Sequence, residues 1–286
     1  MHHVKTEVII TGTGCPIPDG NRAGPGALIR RGDLLLQFDT GRSTVQRLAG
    51  ANVWVPELSA VFLTHYHSDH VSGLADVVLT YWNMDRTYER PPLPVVAPIG
   101  STTEFVAGIL DGWDDDIEVR RTHAHRENGP AVDLIPFEVG EKPEEVWRSG
   151  DVVVSAAPVR HEPVLDAVGF RIETPEGSIA ITGDTRVCDE VATLIEGADV
   201  VVYEAMRYAA FDALPPWRGY VKEYHADTIE LGAQCAELGV PTLVLTHLIP
   251  APTTPEERQA FFDDVRGAGY EGELIVADDL DSVTLG

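Results

Sequence analysis

Short runs of apolar and β-branched residues, bounded by Gly, Pro and Asp, recur along the whole chain and read as strands. The first six are 7–11, 27–31, 34–39, 60–64, 94–97 and 151–157, and the second six are 167–173, 178–182, 200–204, 242–246, 273–277 and 282–285. Between them lie windows with the three-to-four-residue spacing of amphipathic helices, at 43–49, 71–81, 102–110, 189–195, 226–238 and 255–266. The last of these carries the clearest start signal: Thr254 as N-cap, Pro255 at the first helical position, and Glu256 and Glu257 in the first turn. Two charged, Gly- and Pro-containing stretches, 83–94 and 120–150, read as loop excursions. Strands and helices alternate throughout, without a 20–50-residue repeat, so the pattern is that of an α/β protein.

Composition adds bounds to that pattern. Hydrophobic residues make up 44% and charged ones 23% of 286 residues, the balance of a folded chain with a sizeable core, and residues 1–286 are expected to form one domain. Acidic residues number 46 and basic ones 21, a net charge of -25, which disfavours a nucleic-acid partner because polyanions are held by clustered Lys and Arg. Cys15, Cys188 and Cys235 are too few and too scattered for a disulfide scaffold. With no export signal and no apolar run near the roughly 18 residues that cross a bilayer, a cytoplasmic protein without membrane association is expected.

The chemistry concentrates in Thr64-His65-Tyr66-His67-Ser68-Asp69-His70, placed between an apolar strand and a helix. Three imidazoles and a carboxylate within six residues are a donor set for Zn²⁺ and related first-row ions, and a turn leaving a strand can aim alternate side chains at adjacent cations. By contrast His123 and His125 lie in a charged excursion, and His2 and His3 at the N-terminus, where a solvated side chain is the plain expectation.

The His-x-His-x-Asp-His spacing of His65, His67, Asp69 and His70 resembles the signature of the metallo-β-lactamase superfamily. The resemblance continues in order, with His161 after the run ending at Val159, Asp184 within Thr182-Gly183-Asp184-Thr185, and His247 after the strand 242–246. It implies a four-layer αββα sandwich, two mixed β-sheets flanked by helices. It also implies two divalent ions, zinc foremost with manganese or iron as options: His65, His67 and His161 on one, Asp69, His70 and His247 on the other, and Asp184 bridging. Within the superfamily the chain looks most like the branch of ribonuclease Z and the zinc-dependent arylsulfatases, through Thr11-Gly12-Thr13-Gly14-Cys15-Pro16 and Thr40-Gly41. Glu204 falls in that branch's His-Glu-Ala-Thr motif, here Tyr203-Glu204-Ala205-Met206, and His225 falls at its further catalytic histidine.

Ribonuclease Z enzymes carry a long basic arm between the third His ligand and the bridging Asp, and only 22 residues lie between His161 and Asp184. Together with the acidic charge, this turns the expectation toward a small-molecule ester. The leading reading is a binuclear metal-dependent hydrolase of a small phosphodiester, in which Asp69 takes up a proton and His225, oriented by Glu204, stabilises or protonates the leaving group. Alternatives are an arylsulfatase, lactonase or carboxylester hydrolase with the same metals, a ribonuclease Z-like endoribonuclease, and a non-catalytic ligand-binding protein. Phe211, Trp217, Tyr220 and Tyr224 form an aromatic cluster near the proposed site residues, suited either to the core or to the wall of an apolar pocket. Assembly into a homodimer stays open.

Overall fold

The computed structural model describes residues 4–87, 89–211 and 216–286, without the side chains of 216–218. The first half of the chain builds one seven-stranded sheet. Its strands are β1 (Thr6–Gly12), β2 (Gly26–Arg31), β3 (Leu34–Phe38), β4 (Ala60–Phe62), β5 (Leu93–Pro98) and β6 (Val132–Phe137), with β14 (Ser282–Leu285) added from the C-terminus in the order β14-β1-β2-β3-β4-β5-β6. A second seven-stranded sheet runs β13-β12-β11-β10-β9-β8-β7, from β7 (Glu144–Ser149), β8 (Val152–Pro158), β9 (Val168–Thr174), β10 (Gly177–Ile181), β11 (Val200–Met206), β12 (Thr242–Ile249) and β13 (Glu273–Val276). Both sheets are mixed: β3 to β6 pair in parallel, as do β10 to β13, while β1–β2–β3 and β7 to β10 are antiparallel.

The two sheets face each other across an apolar layer. At its centre Phe38 and Phe62 stack with centroids 4.7 Å apart, and Phe170 meets them edge-on at 5.4 and 5.6 Å. Helices α1 (Thr44–Gly50), α3 (Leu74–Asn83) and α4 (Ser101–Ala107) cover the outer face of the first sheet. Helices α6 (Asp189–Ile195), α7 (Thr228–Glu237) and α8 (Pro255–Gly267) cover the second. The short α2 (Ser68–Val71) and the surface helix α5 (Asp114–Ala124) complete the set, giving the four-layer αββα sandwich. Helix α8 begins as its sequence reads: the Thr254 hydroxyl accepts from the Glu257 N–H, and the Glu257 carboxylate accepts from the Thr254 N–H.

The 120–150 stretch departs from its reading as a loop. It contains the end of α5 and both β6 and β7, which are the outermost strands of the two sheets. An outermost strand is half exposed and needs no continuous apolar run, and β7 has only Val146 and Trp147 turned inward. Helix α5 buries no residue. Three aspartates in its first turn, Arg121 and His123 in its last, and the Arg120–Asp116 and Arg121–Glu118 pairs support it by local electrostatics, so hydrophobic periodicity cannot reveal it. Among the described residues, no helix is long and apolar enough to cross a membrane. His2 and His3 lie outside the described residues.

Candidate metal centre

The site lies where β4, β8, β10 and β12 end on one edge of the sandwich. Past β4 the chain turns through His65 and His67 into α2, so that Asp69 and His70 return toward the same point one helical turn later. His161 follows β8 and is held in a small bridge with Val164. Asp184 follows β10 through Gly183, whose positive φ of 61° and a close approach to Val168 O (2.8 Å for an added Cβ) leave room only for glycine. His247 does not end its strand. β12 continues to Ile249, and the β11–β12 register slips between Glu204 and Ala205, which places His247 in a bulge at φ 48° and re-aims its ring at the site.

These elements bring all seven ligand candidates together. One ligand atom each from His65, His67, His161 and Asp184 lies within 4.8 Å of the others, and the same holds for Asp69, His70 and His247. Asp184 stands between the groups: one oxygen is 3.2 Å from His70 Nε2, the other 3.4 Å from His247 Nε2 and 3.9 Å from His161 Nε2. His65 Nε2 and His70 Nε2 are buried and make no hydrogen bond among the described residues, the condition of a ring nitrogen facing a cation.

Backbone and side-chain partners fix the rings from behind. The Tyr224 carbonyl accepts from His161 Nδ1 at 3.0 Å, and Asp39 sits 2.8 Å from His70 Nδ1 while accepting from the Thr64 N–H and hydroxyl. Asp39 was not singled out from sequence; its place directly before Thr40-Gly41 at a strand end was the only trace. Gly24 and Gly41 seat that turn against the metal loop, where a Cβ on Gly41 would fall 2.5 Å from Asp69 O. Burial drives His65 well below its ordinary pKa and His161 down to about 4, so both rings are neutral donors at pH 7. Burial also opposes a charge on His70, but Asp184, Asp39 and Asp69 outweigh it and raise that ring well above its usual value.

His225 and Glu204 form the expected pair. Glu204 Oε1 is 2.9 Å from His225 Nδ1 and also accepts from the backbone N–H groups of Thr185 and Ala226, tying the His225 segment to the loop that carries Asp184. Burial disfavours the imidazolium, yet the Glu204 carboxylate prevails and pushes the pKa of His225 up to about 9. The changed ends of the motif point away from the ligand candidates. Tyr203 and Ala205 point into the helix-side core, where the Tyr203 hydroxyl meets Gln234 at 3.1 Å, and Met206 packs with Cys15 and Ile249. His123 and His125 are exposed and far from this cluster in the fold. Over the ligand candidates opens a cleft of about 530 Å³, walled by Ile17, Phe211, Tyr220, Val221, Tyr224 and Ile249; the Trp217 side chain lies outside the described residues.

Two facing sheets, a flanking helix layer on each, and imidazoles and carboxylates gathered at one strand edge define a metal-dependent hydrolase with a divalent-metal site. The model of the Beta-lactamase superfamily domain matches residues 33–248, and the chain belongs to that superfamily. It is 38% identical to Ribonuclease Z of Mycolicibacterium paratuberculosis over 279 residues, covering 97% of each chain. Among solved structures it is similar to the metallo-beta-lactamase fold protein YhfI of Bacillus subtilis, with TM-score 0.75, 20% identity, and 98% and 99% of the two chains covered. Human tRNase Z, short form, superposes with TM-score 0.69 at 21% identity over 98% and 99%.

These relatives correct the expectation of a small-molecule ester substrate with nucleic acid disfavoured, since the full-length relatives are named for an activity on RNA. The physical reason is one of range. Net charge sums the whole surface, whereas exposed charges are screened beyond about 8 Å at physiological ionic strength, so distant carboxylates say little about the potential at a metal-bearing cleft.

Proposed function

We propose that the chain is a metal-dependent endoribonuclease of the ribonuclease Z kind. The observation that carries this reading is the 38% identity to a Ribonuclease Z across 97% of both chains. The site supports it: His65, His67, His161 and Asp184 would hold one divalent ion, and Asp69, His70, His247 and the same Asp184 a second, with nitrogen and oxygen donors that suit zinc. Two such ions, when bound, bring the pKa of water near neutrality and offset the charge of a phosphodiester.

The protein's own groups do the rest. Asp69, whose carboxylate lies 3.2 Å from His247 Nε2, would receive the proton of the attacking water. His225, whose imidazolium the Glu204 carboxylate favours, would deliver a proton to the leaving oxygen. The 22 residues between His161 and Asp184 are consumed by the β9–β10 hairpin, so RNA is gripped without an arm at that position. The inter-sheet core shared by both halves supports one domain, and three unpaired cysteines suit a reducing compartment.

The test is cleavage of a 3′-extended transfer RNA precursor by the zinc-loaded protein, with bis(p-nitrophenyl) phosphate as a small-ester control. Endonucleolytic cutting is expected; turnover of the small ester with intact RNA sinks the reading. His225→Ala should lower kcat roughly 10²- to 10⁴-fold while bound zinc, measured by elemental analysis, is unchanged.

A further inference from the structure

The cleft above the metal ligands is lined differently from its floor. His67, Asp69, Asp184 and His225 lie at the bottom, while the walls are apolar and aromatic. A scissile phosphate and two ions account for the floor, but not for the walls. Tyr220 is 58% exposed although it borders the buried Asp69, Asp184 and His225, and Ile17 in the same cleft lining is 62% exposed. Large apolar groups left open beside a catalytic floor call for an apolar partner on the substrate.

The aromatic platform is pinned. Tyr220 belongs to the short 3-10 helix 216–223, whose far end is fastened by the Tyr208 hydroxyl, which donates to the carbonyls of Lys222 and His225, the latter at 2.7 Å. Tyr224 packs edge-on against His161 with centroids 5.2 Å apart, and Tyr220 leans on Tyr224 at 6.1 Å and 45°. A planar group inserted between two rings needs about 7 Å, twice a van der Waals contact of roughly 3.5 Å, so the Tyr220–Tyr224 gap is too narrow to admit one. The outward face of Tyr220 is therefore the available surface.

We propose that Tyr220 is a stacking platform for the base of the nucleotide next to the scissile bond. The proposal rests on the ribonuclease reading and adds the residue on which that base is held. Stacking requires the base to leave its duplex partner, and any base offers a π-face, so the preference is for unpaired structure rather than sequence.

Two short single-stranded RNAs carrying 2-aminopurine, one on the 5′ side and one on the 3′ side of the cleavage site, test this with the zinc-loaded protein. One of them should lose fluorescence on binding; Tyr220→Ala should abolish the quench and raise KM roughly 5- to 100-fold, with bound zinc unchanged. Tyr220→Phe keeps the ring and should restore both. Equal quenching and KM in wild type and Tyr220→Ala overturns the proposal, as does cleavage with no quench of either RNA. A Tyr220-dependent quench without cleavage of any RNA upholds the platform and overturns the ribonuclease reading alone.

Discussion

His70, His161 and His225 are each held from behind at Nδ1, and the partner there works with or against burial in setting the charge of the ring. The contrast between His161, lowered to about 4, and His225, raised to about 9, shows how much depends on what stands behind the ring: a neutral carbonyl of Tyr224 for the first, a carboxylate of Glu204 for the second. Because His225 has its folded pKa above its unfolded one, its contribution to stability is full below about 6.5 and is lost as pH rises through about 9. Glu204→Gln keeps the shape and removes the charge. In the metal-free protein, NMR titration should place the His225 midpoint near 9 in wild type and clearly lower in the variant; coincident titration curves would show that Glu204 does not hold the proton there. His65, His67, Asp69 and His70 were readable from residue type and spacing, and His161, Asp184 and His247 through the family resemblance, whereas Asp39 and the Tyr224 carbonyl were not. A buried aspartate and a backbone oxygen carry no pattern of their own, and each gains its meaning only from a ring 31 or 63 positions away.

At the scale of elements, the strands that bury at least one face were legible because burial writes an apolar run, and helix α8 because its cap is local chemistry. Thr254→Ala removes the hydroxyl that accepts from Glu257 N–H, and should cost about 0.5–2 kcal/mol in urea unfolding with an unchanged m-value. An effect below that range would mean that the reciprocal Glu257 contacts with Thr253 and Thr254 carry the helix start unaided. Strands β6 and β7 and helix α5 escaped because outermost strands and fully solvated helices need no apolar stripe. The bulge at His247 is a further element-scale feature. No residue between Thr246 and Leu248 announces it, and it exists because β11 supplies one partner fewer than β12 requires.

For the molecule as a whole, the ligand candidates join both sheets: His65, His67, Asp69 and His70 leave the first, and His161, Asp184 and His247 leave the second. A bound ion therefore ties the halves of the sandwich, and its loss is felt globally. At free zinc 1,000 times Kd, binding adds about 4 kcal/mol to the folded state, so dialysis against EDTA should lower Tm by several degrees and readdition should restore it. A Tm indifferent to chelator would mean that the centre holds no ion of that affinity. What the amino-acid order determined by itself was the donor cluster from His65 to His70 and the strands whose apolar faces had to be covered. Those depend on residue type and on neighbours within a few positions. Tertiary structure alone decided which oxygen stands behind which imidazole, how His247 turns inward, and that an aromatic wall rises over the ligand candidates. Such contacts join residues far apart in the chain, and no local periodicity encodes a distance between two strand ends.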